Sequence, residues 1–157
     1  CTVNVLSVLS SIGFRGSVTV AIGSTTPHLE SIRATISSYG FSSKIVIDAD
    51  GLFSLLNNSD VVIGSGGLSL FERMALGKPS VTVVTADNQL QQAQWAANIG
   101  ATTFVKGMQS SFRKNISGAI DELLLSQELR QTMRNKGMDA IDGKGAERVT
   151  NILLGGR

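Results

Sequence analysis

The stretch Ile63-Gly64-Ser65-Gly66-Gly67-Leu68-Ser69 gathers the residues of this sequence best suited to grip an anion. Its three glycines let the backbone turn sharply and let a bulky group approach the main chain. An apolar β-branched run precedes the turn and a helical pattern begins at Leu68, so the turn leads from a strand into a helix. The first turn of a helix carries free N–H groups and the positive end of its dipole, which together suit a phosphate or diphosphate. Ser65 and Ser69 add hydroxyl donors. A ligand-free tight turn can use the same glycines, but the two serines and the strand–turn–helix setting favour the phosphate reading. No Gly-Lys-Ser/Thr follows, so this is not a Walker A loop. As a dinucleotide fingerprint it is imperfect, with Ser69 in the place of the third glycine.

Glu72 lies in the first turns of the same helix, where its carboxylate can accept hydrogen bonds from two ribose hydroxyls. A solvated carboxylate paired with Arg73, or favoured by the helix dipole, is the plainer alternative. Further on come Thr85-Ala86-Asp87-Asn88-Gln89 and then Gln91, Gln92 and Gln94. Side-chain amides donate and accept at once, which suits sugar hydroxyl and acetamido groups; a glutamine-rich surface helix is the alternative. Asp87 stands about where a dinucleotide fold carries its ribose-binding acid. His28 is expected at a helix start, as a surface residue before a phosphate contact. One histidine and one cysteine offer neither a His/Cys metal cluster nor a Cys/His nucleophile pair, no serine triad is evident, and no metal is expected.

Alternating strands and helices must position these groups. Residues 2–12 read as a short helix with Val3, Leu6, Val8 and Leu9 on one side, and Val18–Ile22 as a strand closed by Gly23-Ser24. Pro27 suits a first helical turn, with Leu29, Ile32 and Ile36 at helical spacing before Gly40. Then follow a strand at 44–47, a short helix at 51–58, a strand at 60–63 and a helix at 68–76 stopped by Gly77-Lys78-Pro79. A strand at 80–85, a helix at 89–98 ended by Gly100 and a strand at 102–105 complete the alternation. Two or three helices fill 110–153, with Phe112, Ile116, Ile120, Leu123 and Leu124 on one face and Val149, Ile152 and Leu153 closing the chain. Successive apolar residues suit strands covered on both faces, and the alternation implies right-handed crossovers. The expected class is α/β, a Rossmann-like doubly wound parallel sheet with extra C-terminal helices. Ligands bind at the carboxyl ends of such strands.

No linker divides the 157 residues, so one domain is expected. A hydrophobic share of 42% and a charged share of 17% describe a globular chain. The net charge of +2 comes from scattered residues, which argues against nucleic acid. A single cysteine precludes an internal disulfide and favours a cytoplasmic setting. No apolar run approaches the ~20 residues of a transmembrane helix. The opening CTVNVLSVLSS lacks the features of a secretory signal, and a start at Cys1 inside a helix suggests a piece of a longer chain.

The segment from Ser59 through Glu72 to Ser80, with its Gly64-Ser65-Gly66-Gly67-Leu68-Ser69-Leu70-Phe71-Glu72 centre and Gly77-Lys78-Pro79 stop, resembles the C-terminal half of GT-B-type sugar-nucleotide enzymes. With Val83-Val84-Thr85-Ala86-Asp87-Asn88-Gln89 added, it resembles in particular the UDP-sugar hydrolases of pseudaminic acid biosynthesis. These are grouped with spore-coat polysaccharide biosynthesis proteins and are cousins of the transferase that adds N-acetylglucosamine to the peptidoglycan lipid intermediate. The likeness runs from about Val18 to Val105 and, more loosely, to the end of the chain.

The resemblance implies a UDP-sugar held as substrate between two Rossmann-like halves, with no further cofactor. Ser65, Gly66, Gly67, Leu68 and Ser69 would surround the diphosphate and Glu72 would hold the ribose. Backbone groups from Ile47 to Asp50 would meet the uracil, and Asn88 and Gln89 would face the sugar. Gly23 and Ser24, with His28, would line the same cleft. Family members carry an earlier strand and glycine-rich loop before the helix that opens this chain, and an N-terminal domain with a water-activating histidine. This sequence has neither, so the partner of this half is that domain. The catalytic base is expected there, and the chain alone is expected to bind weakly and not turn over.

The implied activity is release of UDP from a UDP-linked diacetamido trideoxy sugar, with helix N–H groups stabilising the leaving diphosphate. Asn88 would help position sugar or water. Three alternatives stay open: a UDP-dependent glycosyltransferase for cell-surface polysaccharide, an NAD-binding oxidoreductase domain using Gly64, Gly66 and Asp87, and a non-catalytic binding module.

Overall fold

β-Branched runs and helical periods alternate along the chain, and each run becomes a strand feeding a helix. A computed structural model describes residues 1–107 and 109–155. Helix α1 (Thr2–Ser11) leads to β1 (Ser17–Ile22), α2 (Leu29–Ser37), β2 (Ser42–Ile47) and α3 (Phe53–Asn57). Next come β3 (Val62–Ser65), α4 (Leu68–Ala75) and β4 (Ser80–Val84). A 3-10 turn (Asp87–Gln89) precedes α5 (Leu90–Asn98) and β5 (Thr103–Lys106). Helices α6 (Phe112–Leu125), α7 (Gln127–Ala140) and α8 (Gly145–Leu153) complete the described chain.

Every strand pairing is parallel, as the alternation predicts. The sheet, however, is divided. β1 pairs with β2, Ser17 opposite Ser42 and Ile22 opposite Ile47, while β4 lies between β3 and β5 in a separate sheet. Between β1 and β3 runs a cleft of about 660 Å³. β4 is buried at every residue, as its apolar run predicts for a strand covered on both faces. β1 and β3 read the same way in sequence, yet most of their residues keep some exposure, because each has one edge on the cleft.

One core spans both sheets: Leu6 and Leu9 of α1, Val20 of β1 and Ile32 of α2 join Val81, Val83, Val105, Ile116 and Ile120. A smaller cluster of Leu70, Met74, Ala96 and Ala101 gathers α4 and α5 on the other side of β4. Helices therefore cover both faces, which makes the fold doubly wound.

Local departures from the expected elements have local causes. Helix α2 starts at Leu29 with His28 as its cap, so Pro27 lies ahead of the helix instead of in its first turn. β3 begins at Val62, whose N–H reaches the Pro79 carbonyl, leaving Asp60 and Val61 outside the ladder. Phe112, Ile116, Ile120 and Leu123 of α6 are buried as their spacing predicts. Helix α8 buries nothing; Val149, Ile152 and Leu153 are exposed. No helix among the described residues is long and apolar enough to cross a membrane.

Candidate functional site

The glycine turn sits at the carboxyl end of β3, and its shape follows from its neighbours. The Gly66 N–H donates to the Val83 carbonyl at 3.3 Å, which pins the turn to β4. Gly67 then adopts φ +88° and ψ −155°, a region essentially reserved for glycine, and open space lies where a Cβ would stand. Helix α4 starts immediately afterwards, with Leu68 on its first turn 76% exposed. At its far end Lys78 N–H donates to the Arg73 carbonyl and Gly77 N–H to that of Met74, a Schellman closure made possible by φ +59° at Gly77. The helix is thus fixed at both ends, with its first-turn N–H groups at the sheet mouth.

Behind the turn lies a residue that the sequence reading left on the surface. Arg73 is only 2% exposed. Its Nη2 donates to the Ser65 carbonyl at 3.1 Å and to Thr82 Oγ1 at 3.1 Å, and its Nη1 donates to Ser69 Oγ at 3.2 Å. Thr82 Oγ1 lies 2.9 Å from Thr102 Oγ1, which in turn donates to the Ser80 carbonyl at 2.8 Å. Nε has no partner, and among the described residues no carboxylate forms an ion pair with this guanidinium. Burial pushes the guanidinium down to about 10, with the Glu72 charge pulling the other way, so it remains a cation at neutral pH. The alternative of a surface pair between Glu72 and Arg73 is therefore not realised: Glu72 is exposed and Arg73 is turned inward.

The proximity of this cation also explains Gly64, where a Cβ would come within 2.8 Å of Arg73 Nη1. A helix N-terminus above and a buried cation beneath give the turn a positive field from two independent sources. Such a field attracts an anion.

Gln89 holds the opposite wall. Its Oε1 accepts from the Thr85 N–H at 3.0 Å and the Thr85 hydroxyl at 3.2 Å, leaving its Nε2 as the end available to a ligand. Its Cβ lies 2.8 Å from where a Gly66 Cβ would be, so only glycine fits between them. Asp87 and Asn88 are exposed beside it. Ser69 Oγ bonds the Ser65 carbonyl at 3.4 Å while receiving Arg73, so this hydroxyl is occupied inside the turn.

At the ends of β1 and β2, the Ser24 N–H donates to Asp48 Oδ1 at 2.7 Å. Hydrogen bonds from Ser24 hold the Asp48 carboxyl below the usual carboxylate range. Asp48 itself sits at φ +46°, a conformation short polar side chains tolerate. Gly23, Ser24 and Ile47 thus share one strand-end junction, and Ile47 is 36% exposed. His28 is exposed and its side chain caps nothing. Sequence reasoning missed Arg73 as a buried group, though the signal was present: it stands three residues after Leu70 and one before Met74, on the buried stripe of α4.

Comparison with known proteins settles the fold. The solved structure of MurG from Acinetobacter baumannii superposes with a TM-score of 0.75 at 16% identity, covering 98% of this chain and 46% of that one. The solved structure of WaaG, a glycosyltransferase involved in lipopolysaccharide biosynthesis, superposes with a TM-score of 0.70 at 16% identity, covering 99% of this chain and 43% of that one. The domain has a GT-B-type fold. In sequence, this GT-B-type domain is 27% identical over 132 residues to spore coat polysaccharide biosynthesis protein SpsG of Bacillus subtilis (strain 168), which takes in 84% of this chain and 39% of the relative. No family profile matches the chain. The GT-B-type domain thus spans less than half the length of each of these proteins.

Proposed function

We propose that this chain is the nucleotide-binding half of an enzyme of polysaccharide biosynthesis, and that it holds the diphosphate of a UDP-sugar against the turn Ser65–Ser69. The observation that carries the reading is Arg73, buried directly behind a glycine turn at a helix N-terminus with no carboxylate paired to it among the described residues. A cation kept out of water without a counter-charge is costly, and an anion seated at the turn offsets that cost. Glu72 on the next helical turn is the ribose acceptor, Asn88 and the Nε2 group of Gln89 face the sugar, and the Ile47–Asp50 backbone serves the uracil. The unburied apolar residues of α8 and the short span relative to similar proteins support a second half that completes the cleft.

The reaction that fits is displacement at the anomeric carbon. The bond from that carbon to the diphosphate oxygen breaks with its electron pair leaving on UDP, and the nucleophile's oxygen bonds the carbon as its proton passes to a base in the other half. The helix N–H groups and the field of Arg73 stabilise the negative charge that grows on the leaving diphosphate. With water as nucleophile the enzyme is a hydrolase, the reading the Ala86–Gln89 segment supports. Transfer to an acceptor hydroxyl is the second reading, favoured by glycosyltransferases of the same fold. UDP release with and without added acceptor separates the two.

Titration with UDP while recording backbone amide shifts tests the proposal. Shifts concentrated at Ser65–Glu72 and Asn88–Gln89 are expected. Shifts there with NAD and none with UDP would replace this reading with the dinucleotide one.

A further inference from the structure

β4 is the most deeply buried strand of the described chain, yet Ser80 and Thr82 place hydroxyls in it, and Thr102 brings a third from just ahead of β5. Ser80 and Thr82 are 0% exposed. Side chains two apart on a strand share a face, so these two point away from Val81 and Val83, which belong to the main core. Apolar residues of similar size would fill the same places without the cost of burying polar groups. We infer that Thr82 and Thr102 are positioning residues for the diphosphate: they hold the Arg73 guanidinium behind the glycine turn by dipoles alone, so that its charge stays available to the ligand. The inference rests on the proposed reading of that turn as the diphosphate seat.

The proton of each hydroxyl is assigned by the two ends of the chain of bonds. A guanidinium only donates, so Thr82 Oγ1 accepts from Arg73 Nη2 at 3.1 Å. Among the described residues, the other partner of Thr82 Oγ1 is Thr102 Oγ1 at 2.9 Å, so the Thr82 proton goes there. A carbonyl only accepts, and the Thr102 proton goes to that of Ser80 at 2.8 Å. Ser80 Oγ, 3.1 Å from Thr102 Oγ1, therefore donates as well. Every proton in the chain points away from Arg73 and every oxygen towards it. Hydroxyl dipoles aligned in this way polarise one another.

Register sets where this chain delivers the cation. Thr82 stands opposite Gly64 in the β3–β4 ladder, and the missing Cβ of Gly64 makes room for Arg73 Nη1. The guanidinium is thus tied to β4 by Thr82 and to the turn by the Ser65 carbonyl and Ser69 Oγ. A carboxylate in place of the Thr82 hydroxyl would tie it equally well but would cancel the field that an anion feels. Neutral oxygens anchor the cation and leave it positive.

Binding of UDP, inorganic pyrophosphate and uridine to the chain and its variants tests the inference, with thermal melts to report folding. Thr82→Val is expected to weaken UDP and pyrophosphate alike, by about fivefold or more, and to leave uridine unchanged. Thr82→Ser, which keeps the oxygen, is expected to restore both to within about twofold. Beside Arg73→Met, Thr82→Val is expected to change UDP affinity by less than about twofold, because its effect runs through the guanidinium. Should Thr82→Val not fold, Thr102→Val takes its place; it removes the acceptor of the Thr82 proton and is expected to cost about threefold in UDP affinity. Equal UDP affinity in the wild type and the folded valine variants would reduce the hydroxyls to core filling and overturn the inference while the UDP reading stands. An undiminished loss beside Arg73→Met, or a matching loss for uridine, would mean that the threonines act by shaping the cleft, which also overturns it. A wild type that binds neither UDP nor pyrophosphate would remove the diphosphate reading, and this inference with it.

Discussion

Arg73 Nη2 lies 3.1 Å from the Ser65 carbonyl and 3.1 Å from Thr82 Oγ1, so one buried cation joins the last residue of β3 to the middle of β4. The bond shapes the glycine turn from behind and leaves the turn's front free. The positive field at the sheet mouth thus has a fixed source inside the protein, independent of solvent-exposed lysines that salt would screen.

Replacing Arg73 separates its two roles. Arg73→Met removes a desolvated charge but also three hydrogen bonds, so the net stability change is expected to stay within about 2 kcal/mol. UDP affinity is expected to fall about tenfold or more, since one factor of ten corresponds to about 1.4 kcal/mol of lost attraction. Calorimetric titration beside a thermal melt reads both; unchanged affinity in the folded variant would remove Arg73 from the site.

Gly67→Ala tests the turn itself. At φ +88° and ψ −155° an alanine is strained by about 1–3 kcal/mol although its Cβ meets nothing. A loss of stability of that size, read as a lowered melting temperature, is expected together with weaker UDP binding. Gly66→Ala acts differently, by pushing Gln89 away, and should move the amide shifts of Thr85 and Gln89 before any ligand is added.

Glu72→Gln addresses the nucleoside. The exposed carboxylate makes no structural bond, so the melt should barely change. UDP binding is expected to weaken by about 1–2 kcal/mol, the difference between charged and neutral acceptors, while inorganic pyrophosphate binds as before. Equal losses for both ligands would place Glu72 at the diphosphate and not at the ribose.

Acid should loosen the start of α8. Asp142 receives the Arg148 guanidinium at 2.6 Å and the Lys144 N–H at 3.0 Å, and these bonds hold its carboxyl down at about 2. Because the folded value is depressed from 3.8, the contribution is present above about pH 4 and is lost as pH falls towards 2. Protection of the amides along Gly145–Leu153, taken relative to unstructured exchange at the same pH, should fall over that window, and Asp142→Asn should show the lowered protection already at neutral pH.

The elements and the class of this fold were legible in the sequence because their signals are local. Val81-Thr82-Val83-Val84 could only be a buried strand, and Gly77-Lys78-Pro79 could only stop a helix. The glycine turn was equally legible, since strand, glycines and helix start are contiguous. The fate of Arg73 was decided by tertiary structure: its charge says surface, its place on the α4 stripe says core, and Thr82, Thr102 and the Ser65 carbonyl let the core win by supplying acceptors. The division of the sheet was beyond a local reading of β1 and β3; only the resemblance, which implies an earlier strand ahead of α1, bore on it. β1 and β3 each carry the composition of a central strand, but whether a strand finds a neighbour on both edges depends on which segments lie beside it in space, and pairing between distant segments leaves no mark on either alone.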